Sequence, residues 1–86
     1  MPEISRFFGI IVAIYHNDHP PPHFHAKYGE HKAKLTIATG EVIAGSLPSR
    51  AYALVEEWRL AHLAELQECW NRAAMHQAPG KIDPLE

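Results

Sequence analysis

The sequence predicts an α+β fold in which a small antiparallel sheet of three to four strands packs on one long C-terminal helix. Two patterns predict it. Residues 6–45 fall into short apolar or alternating segments separated by turn-forming residues, whereas residues 48–75 repeat their apolar positions with a helical period. The length of 86 residues fits one small domain. We therefore predict a single domain over residues 1–86, with the sheet at 6–45, the helix at 48–75 and a C-terminal tail at 79–86.

The predicted strands follow the positions of turn-forming residues. Residues 7–16 are rich in Ile, Val and aromatic side chains, and the proline-rich stretch at 17–22 ends this first strand because proline cannot donate to a ladder. Residues 23–28 form a second strand. Residues 32–38 alternate apolar and polar side chains, as a half-buried strand does, and residues 41–44 form a brief fourth strand. Such short connections favour an antiparallel meander.

The predicted helix begins at Pro48, where the missing N–H of proline does no harm. At about 100° per residue, one apolar stripe continues to about Met75 and contains Ala51, Leu54, Val55, Trp58, His62, Leu66, Cys69 and Ala73. His62 lies in the middle of this stripe, so we interpret it as a helix-core residue rather than a ligand. In the tail, Ile82 and Leu85 are expected to dock on the domain.

Composition excludes several classes of protein. Ten acidic and eight basic side chains give a net charge of −2, so whole-molecule electrostatics do not favour nucleic acid as a partner, although they leave it open. The chain has one cysteine and therefore cannot form an intramolecular disulfide, which favours a cytoplasmic protein over a small secreted one. The longest apolar run has nine residues, far fewer than the roughly 20 that span a bilayer, so we expect no membrane association.

Histidines are concentrated in the first half of the chain. Five of the seven fall within sixteen residues, and the densest unit is a Pro-Pro-His-Phe-His sequence. Side chains two apart on a strand point the same way, so His23, His25 and Lys27 share one face while the intervening side chains enter the other. Pairing with the next strand would bring Lys32 and Lys34 close to them, which combines imidazoles with ammonium groups suited to an anion.

Besides simple anion binding, three interpretations of this face remain open at the level of the sequence. In the first, His23 and His25 ligate a divalent metal such as zinc, with Asp18 or His16 as third ligand. In the second, His23 and His25 act as acid and base on a phosphodiester and Lys27 stabilises the negative charge that develops, with no metal. In the third, the histidines are structural and hold the proline-rich turn through hydrogen bonds to backbone carbonyls and to Asp18. Whether the protein is an enzyme therefore stays undecided.

The first predicted strand also indicates a protein partner. Residues 7–15 are apolar on both strand faces, whereas a single helix covers only one face of a sheet. We therefore predict that the uncovered face contacts a small partner protein or a second copy of the chain.

Several of these features occur together in a known family. They are the start Met-Pro-Glu-Ile-Ser-Arg-Phe-Phe-Gly-Ile, the Pro-Pro-His-Phe-His-Ala block at 21–26, the Tyr-Gly-Glu turn at 28–30, Leu47-Pro48 with Arg50, Glu57-Trp58, His62, Trp70 and the tail at 81–85. In this combination the chain resembles, over essentially its whole length, the bacterial family called domain of unknown function 4160.

The resemblance implies a small cytoplasmic prokaryotic protein, encoded beside a second small protein in a gene arrangement similar to toxin–antitoxin modules. The family pattern points to His23, His25, Arg50 and His62. We therefore predict the toxin-like or effector member of a two-protein module, with the His23/His25 surface as its active or target-binding face. One alternative is a non-enzymatic partner-binding or regulatory module in which the histidines are structural. The other is a metal-dependent hydrolase.

Overall fold

The chain folds as five antiparallel strands and two helices in a computed structural model that describes residues 3–16 and 19–86. The strands lie in chain order across the sheet and the helices follow them: β1 (Glu3–Phe7), β2 (Ile10–Ala13), β3 (His23–Tyr28), β4 (His31–Thr36), β5 (Val42–Gly45), α1 (Ser49–Ala61) and α2 (Leu63–Ala74). The α+β class and the antiparallel sheet are confirmed. Within residues 3–16 and 19–86, no helix is both long and apolar enough to cross a membrane.

The first predicted strand is in fact two strands joined by a tight turn, so the expected count of three to four strands was wrong. Phe8 and Gly9 have positive φ values of 49° and 80°, as in a two-residue type I′ turn, and Phe7 pairs with Ile10 across it. Asn or Asp usually precedes the glycine of such a turn. Phe8 stands there instead, and the apolar run hides the reversal of the chain.

The predicted single helix is also divided, at His62. This residue has φ −131° and ψ 30°; its N–H donates to the carbonyl of Arg59 and its own carbonyl accepts from Leu66. Its Nδ1 donates to Glu65 Oε1 at 2.6 Å while its ring lies 5.6 Å from that of Trp58. His62 is thus a half-buried residue in a helix break and not a helix-core residue. One non-helical residue barely disturbs the apolar stripe, so periodicity does not reveal the break.

The core lies between the sheet and the helices, with Trp58 of α1 at its centre. The Trp58 ring is fully buried and lies 5.4 Å from the ring of Phe7 and 6.0 Å from that of Phe24, measured between centroids. Every second residue of β2 and β3 points into this core, including Ile10, Val12 and Phe24. We call this side the inner face of the sheet and the opposite side the outer face.

The C-terminal tail covers the free edge of β1. The Ile82 N–H donates to the Ile4 carbonyl at 2.8 Å, and Ile82 is buried in the core cluster with Leu85 packed against it. The carbonyl of Asp83 accepts from Trp58 Nε1 at 2.8 Å. The predicted docking of Ile82 and Leu85 is therefore confirmed, and the tail leaves the outer face of the sheet uncovered.

A buried arginine ties the β4–β5 connection to α1. Arg59 is 5% exposed, and its Nη1 donates to the carbonyl of Ile37 at 2.9 Å while Nε and Nη2 donate to Glu56 Oε2 at 3.0 and 2.7 Å. The Tyr52 hydroxyl donates to the Gly40 carbonyl at 2.8 Å. Burial and the neighbouring Glu56 carboxylate raise the pKa of Tyr52, so its hydroxyl keeps the proton that it donates. We call the contacts of Arg59 with Ile37 and Glu56 the Arg59 clamp. Sequence periodicity gave no sign of it.

Gly40 is the position at which the clamp tolerates no side chain. Its φ is +75°, and a Cβ there would clash with Glu56 Oε1 and lie 2.6 Å from Arg59 Nε. We expect Gly40→Ala to lower the free energy of unfolding by about 3 kcal/mol or more, since it adds left-handed strain and disrupts a buried ion pair. Urea denaturation measures the change.

Gly29→Ala is the matched control, because Gly29 has φ +59° but open space around its Cβ position. It should cost only the backbone strain, about 1 kcal/mol. Equal losses of stability in the two variants would contradict the clamp.

Candidate functional site

The outer face of the sheet contains a cavity of about 340 Å³. Its lining comes from four strands and from Tyr15, which lies two residues beyond the end of β2; the full lining is Ile11, Ala13, Tyr15, His25, Ala26, Lys27, Lys32, Ala33, Lys34, Ala44 and Gly45. This volume lies at the lower end of the range of about 300–1,000 Å³ for small-ligand sites. The cavity is therefore our candidate functional site, and we call it the outer cavity.

The register of β2, β3 and β4 places the polar side chains of the outer cavity. His25 is opposite Lys34, and Lys27 is opposite Lys32, across the β3–β4 pair. On the other side of β3, His25 is opposite Ala13 of β2. The turn at 29–30 between β3 and β4 has only two residues, and such a tight hairpin fixes the register. The expected proximity of Lys32 and Lys34 to the histidine face is confirmed.

The outer cavity is locally cationic although the chain is not. Lys27, Lys32 and Lys34 are three of the chain's four lysines, and all three line it. Among the described lining residues there is no Asp or Glu. Low-dielectric walls with charges of one sign concentrate the field in a cleft, so this face attracts anions despite a net charge of −2.

Between the lysines the outer cavity is apolar and aromatic. Ile11, Ala13 and Ala44 supply aliphatic surface. The rings of Tyr15 and His25 meet edge to face, with centroids 4.5 Å apart and planes at 86°. Sequence reasoning placed Tyr15 on the same strand face as Ala13 and Ile11 by alternation, but did not name it among the site residues.

The two histidines of the predicted pair lie next to each other but differ in burial. His25 is half-buried and lines the outer cavity, whereas His23 is only 4% exposed. The His23 ring lies 5.2 Å from that of Trp70 on α2 and 5.3 Å from that of His25. Its Nδ1 contacts the Pro21 carbonyl at 2.8 Å. A carbonyl only accepts, so Nδ1 carries the proton. His23 thus lies behind the surface, next to the proline turn, and a catalytic role for it stays a prediction.

The structure does not test the predicted metal site of His23, His25 and Asp18. Asp18 lies outside the described residues. In the part of the chain that the structure describes, no group of three or more His, Cys, Asp or Glu side chains is arranged to hold a metal ion. His16, the other proposed third ligand, stacks on His76 with ring centroids 6.2 Å apart.

The two remaining family positions lie away from the outer cavity. Arg50 is exposed in the first turn of α1, and His62 lies in the helix break beside Glu65. Neither is among the lining residues. The residues brought together are therefore Tyr15, His25, Lys27, Lys32 and Lys34.

The fold and this site define a class: a small α+β domain with a lysine-lined cavity on the outer face of its sheet. Residues 9–71 match the model of the family described as Domain of unknown function (DUF4160), and the chain belongs to that family. The matched segment runs from the β1–β2 turn into α2 and contains the whole lining of the outer cavity. Comparisons with curated proteins and with solved structures gave no match.

The different burial of the two histidines predicts different effects on stability. We expect His23→Ala to lower the free energy of unfolding by about 2–3 kcal/mol, because it removes a buried ring that packs on Trp70 and a hydrogen bond to Pro21. His25→Ala, at a half-buried site, should cost about 1 kcal/mol or less. Urea denaturation of both variants checks this difference, and a greater loss for His25→Ala would contradict the assignment.

Proposed function

We propose that the outer cavity binds an anionic, phosphate-bearing target, and that the protein is the effector member of a two-protein module in the cytoplasm. One observation carries the binding proposal: Lys27, Lys32 and Lys34 line one cavity whose described residues include no carboxylate. Lysine ammonium groups act as point charges toward phosphate. The predicted partner protein, or a second copy of the chain, would bind this same uncovered face.

His25 and Lys27 are the residues that support a catalytic version of the proposal. His25 lies in the lining, opposite Lys34 and beside Tyr15, so its imidazole is within the same cavity as the ammonium groups. An imidazole in that position can take the proton of a hydroxyl or water that attacks a bound phosphodiester, or protonate the leaving oxygen, while lysines stabilise the negative charge that develops on the phosphate. His23, packed behind it, would position His25 rather than contact the target.

The non-enzymatic alternative has its own support. His23 bonds the Pro21 carbonyl and packs on Trp70, which is the structural role that this alternative assigns to the histidines. A binding face then suffices, with no proton transfer. The metal-dependent alternative rests on His23, His25 and Asp18, and metal analysis of the purified protein tests it: absence of stoichiometric zinc, manganese or iron would remove it.

The binding proposal predicts a charge-specific loss of affinity. We expect Lys32→Gln/Lys34→Gln to weaken binding to polyphosphate and to oligonucleotides by at least about tenfold, and to reduce the salt dependence of binding, because fewer counterions are released. Titration by fluorescence anisotropy at several salt concentrations measures both. The control is Arg72→Gln/Lys81→Gln, which removes the same charge outside the outer cavity. Equal losses in the two double variants would contradict a specific site.

The effector proposal predicts an effect on growth. Expression of the wild type without its partner should arrest bacterial growth, and Lys32→Gln/Lys34→Gln, at equal expression, should relieve the arrest. Lysine variants suit this test better than one that includes His23→Ala, because His23 is buried and its loss would also destabilise the fold. If the wild type causes no arrest, the effector role is wrong. If the wild type and Lys32→Gln/Lys34→Gln arrest growth equally, the outer cavity is not the effector site.

A further inference from the structure

The outer cavity has a chemical character that phosphate binding alone does not explain. We propose that the target of the outer cavity is a single-stranded nucleic acid, an inference that rests on the proposed function. One unstacked base lies on the apolar floor against Tyr15, and the lysines hold the phosphates on either side.

The first observation is the floor between the charges. Ile11, Ala13 and Ala44 offer no hydrogen bond to a phosphate, yet they line the same cavity as the three lysines. A site for inorganic phosphate or polyphosphate is built from donors throughout. A surface that alternates apolar and cationic groups instead matches a ligand that alternates flat rings and charges, which is the chemistry of a nucleotide chain.

The second observation is the aromatic ring of Tyr15, which lines the same cavity. Tyr15 is half-buried and its orientation is held by the edge-to-face contact with His25. Aromatic rings on a sheet surface provide stacking platforms for bases, and every base has a face that can stack. A ring already fixed by its neighbour loses little conformational freedom when a base stacks on it.

The third observation is the arrangement of the lysines. Lys32 and Lys34 lie two residues apart on β4, about 7 Å along the strand, and Lys27 is opposite Lys32 on β3. The three lysines are therefore attached to the sheet at positions spread along and across it. Such a spread suits successive phosphates of an extended chain better than a single phosphate.

The size and shape of the outer cavity favour a single strand over a duplex. A volume of about 340 Å³ accommodates one base with its sugar, near the minimum for small-ligand sites. A duplex keeps its bases stacked inside and presents phosphates and groove edges, so its bases would not reach a concave floor. Unstacked bases of single strands are the ones that proteins place against aromatic side chains.

The test compares three probes on the intact protein by fluorescence anisotropy: a labelled single-stranded oligonucleotide, made as RNA and as DNA, its blunt duplex, and polyphosphate of similar charge as competitor. We expect the single strand to bind most tightly. Tyr15→Leu should weaken single-strand binding about 5- to 150-fold, the range that stacking on one aromatic ring supplies, and leave polyphosphate binding unchanged.

Tyr28→Leu is the matched control, because Tyr28 is a more exposed tyrosine that does not line the outer cavity. It should bind all probes like the wild type. If Tyr15→Leu fails to fold, a single strand containing abasic sites replaces it, and it should bind the wild type more weakly than the intact strand does.

The outcomes distinguish this inference from the proposed function. If polyphosphate and duplex bind as tightly as the single strand, and Tyr15→Leu or abasic sites change nothing, the inference is wrong, while a lysine-dependent anion site stands. If the binding of none of the probes depends on Lys32 and Lys34, both the inference and the proposed function are wrong. Single-strand binding that falls in Tyr15→Leu and not in Tyr28→Leu supports both.

Discussion

The packing of Phe24 against Trp58 determines which way the sheet faces. Both rings are fully buried, with centroids 6.0 Å apart. Because successive side chains of a strand point to opposite faces, fixing Phe24 inward sends His25 outward, and Lys27 follows two residues later. A slip of one residue would bury His25 and Lys27 in the core and expose Phe24. The burial of one aromatic pair therefore places the polar groups of the outer cavity.

The two helices also hold the strands of the outer cavity in place, α1 through Arg59 and α2 through Trp70. Through Arg59, α1 holds the carbonyl of Ile37, just beyond β4, and so steadies the strand that carries Lys32 and Lys34. The break at His62 separates α2 from α1, and Trp70 of α2 packs on the ring of His23 at the start of β3. His23 is thus the point where the helical layer contacts the strand that carries the site, and it in turn contacts His25.

Features that depend on the alternation of side chains along a strand and on short turns could be predicted from the sequence. The side on which His25 and Lys27 lie, and their proximity to Lys34 and Lys32, follow from alternation and from a two-residue turn. The burial of His23 could not be predicted, because it depends on Trp70, a residue distant in sequence. The turn at Phe8 was hidden because the usual turn residue is replaced by an apolar one. In the site itself, alternation placed Tyr15 on the strand face of Ile11 and Ala13, but it carries no charge and was not named as a site residue.

The whole-chain charge does not describe the outer cavity, because most acidic residues and most lysines lie in different parts of the chain. Seven of the ten acidic residues lie in residues 41–86, whereas three of the four lysines lie in the eight-residue segment 27–34 of β3 and β4. The shortest dimension of the molecule is 23 Å, and exposed charges are largely screened beyond about 10 Å at moderate salt. Acidic groups that lie farther than this screening length from the lysines contribute little to the field of the outer cavity. For a target that reaches this cavity, the local sign of the charge decides binding, and a net charge of −2 is no argument against an anionic one.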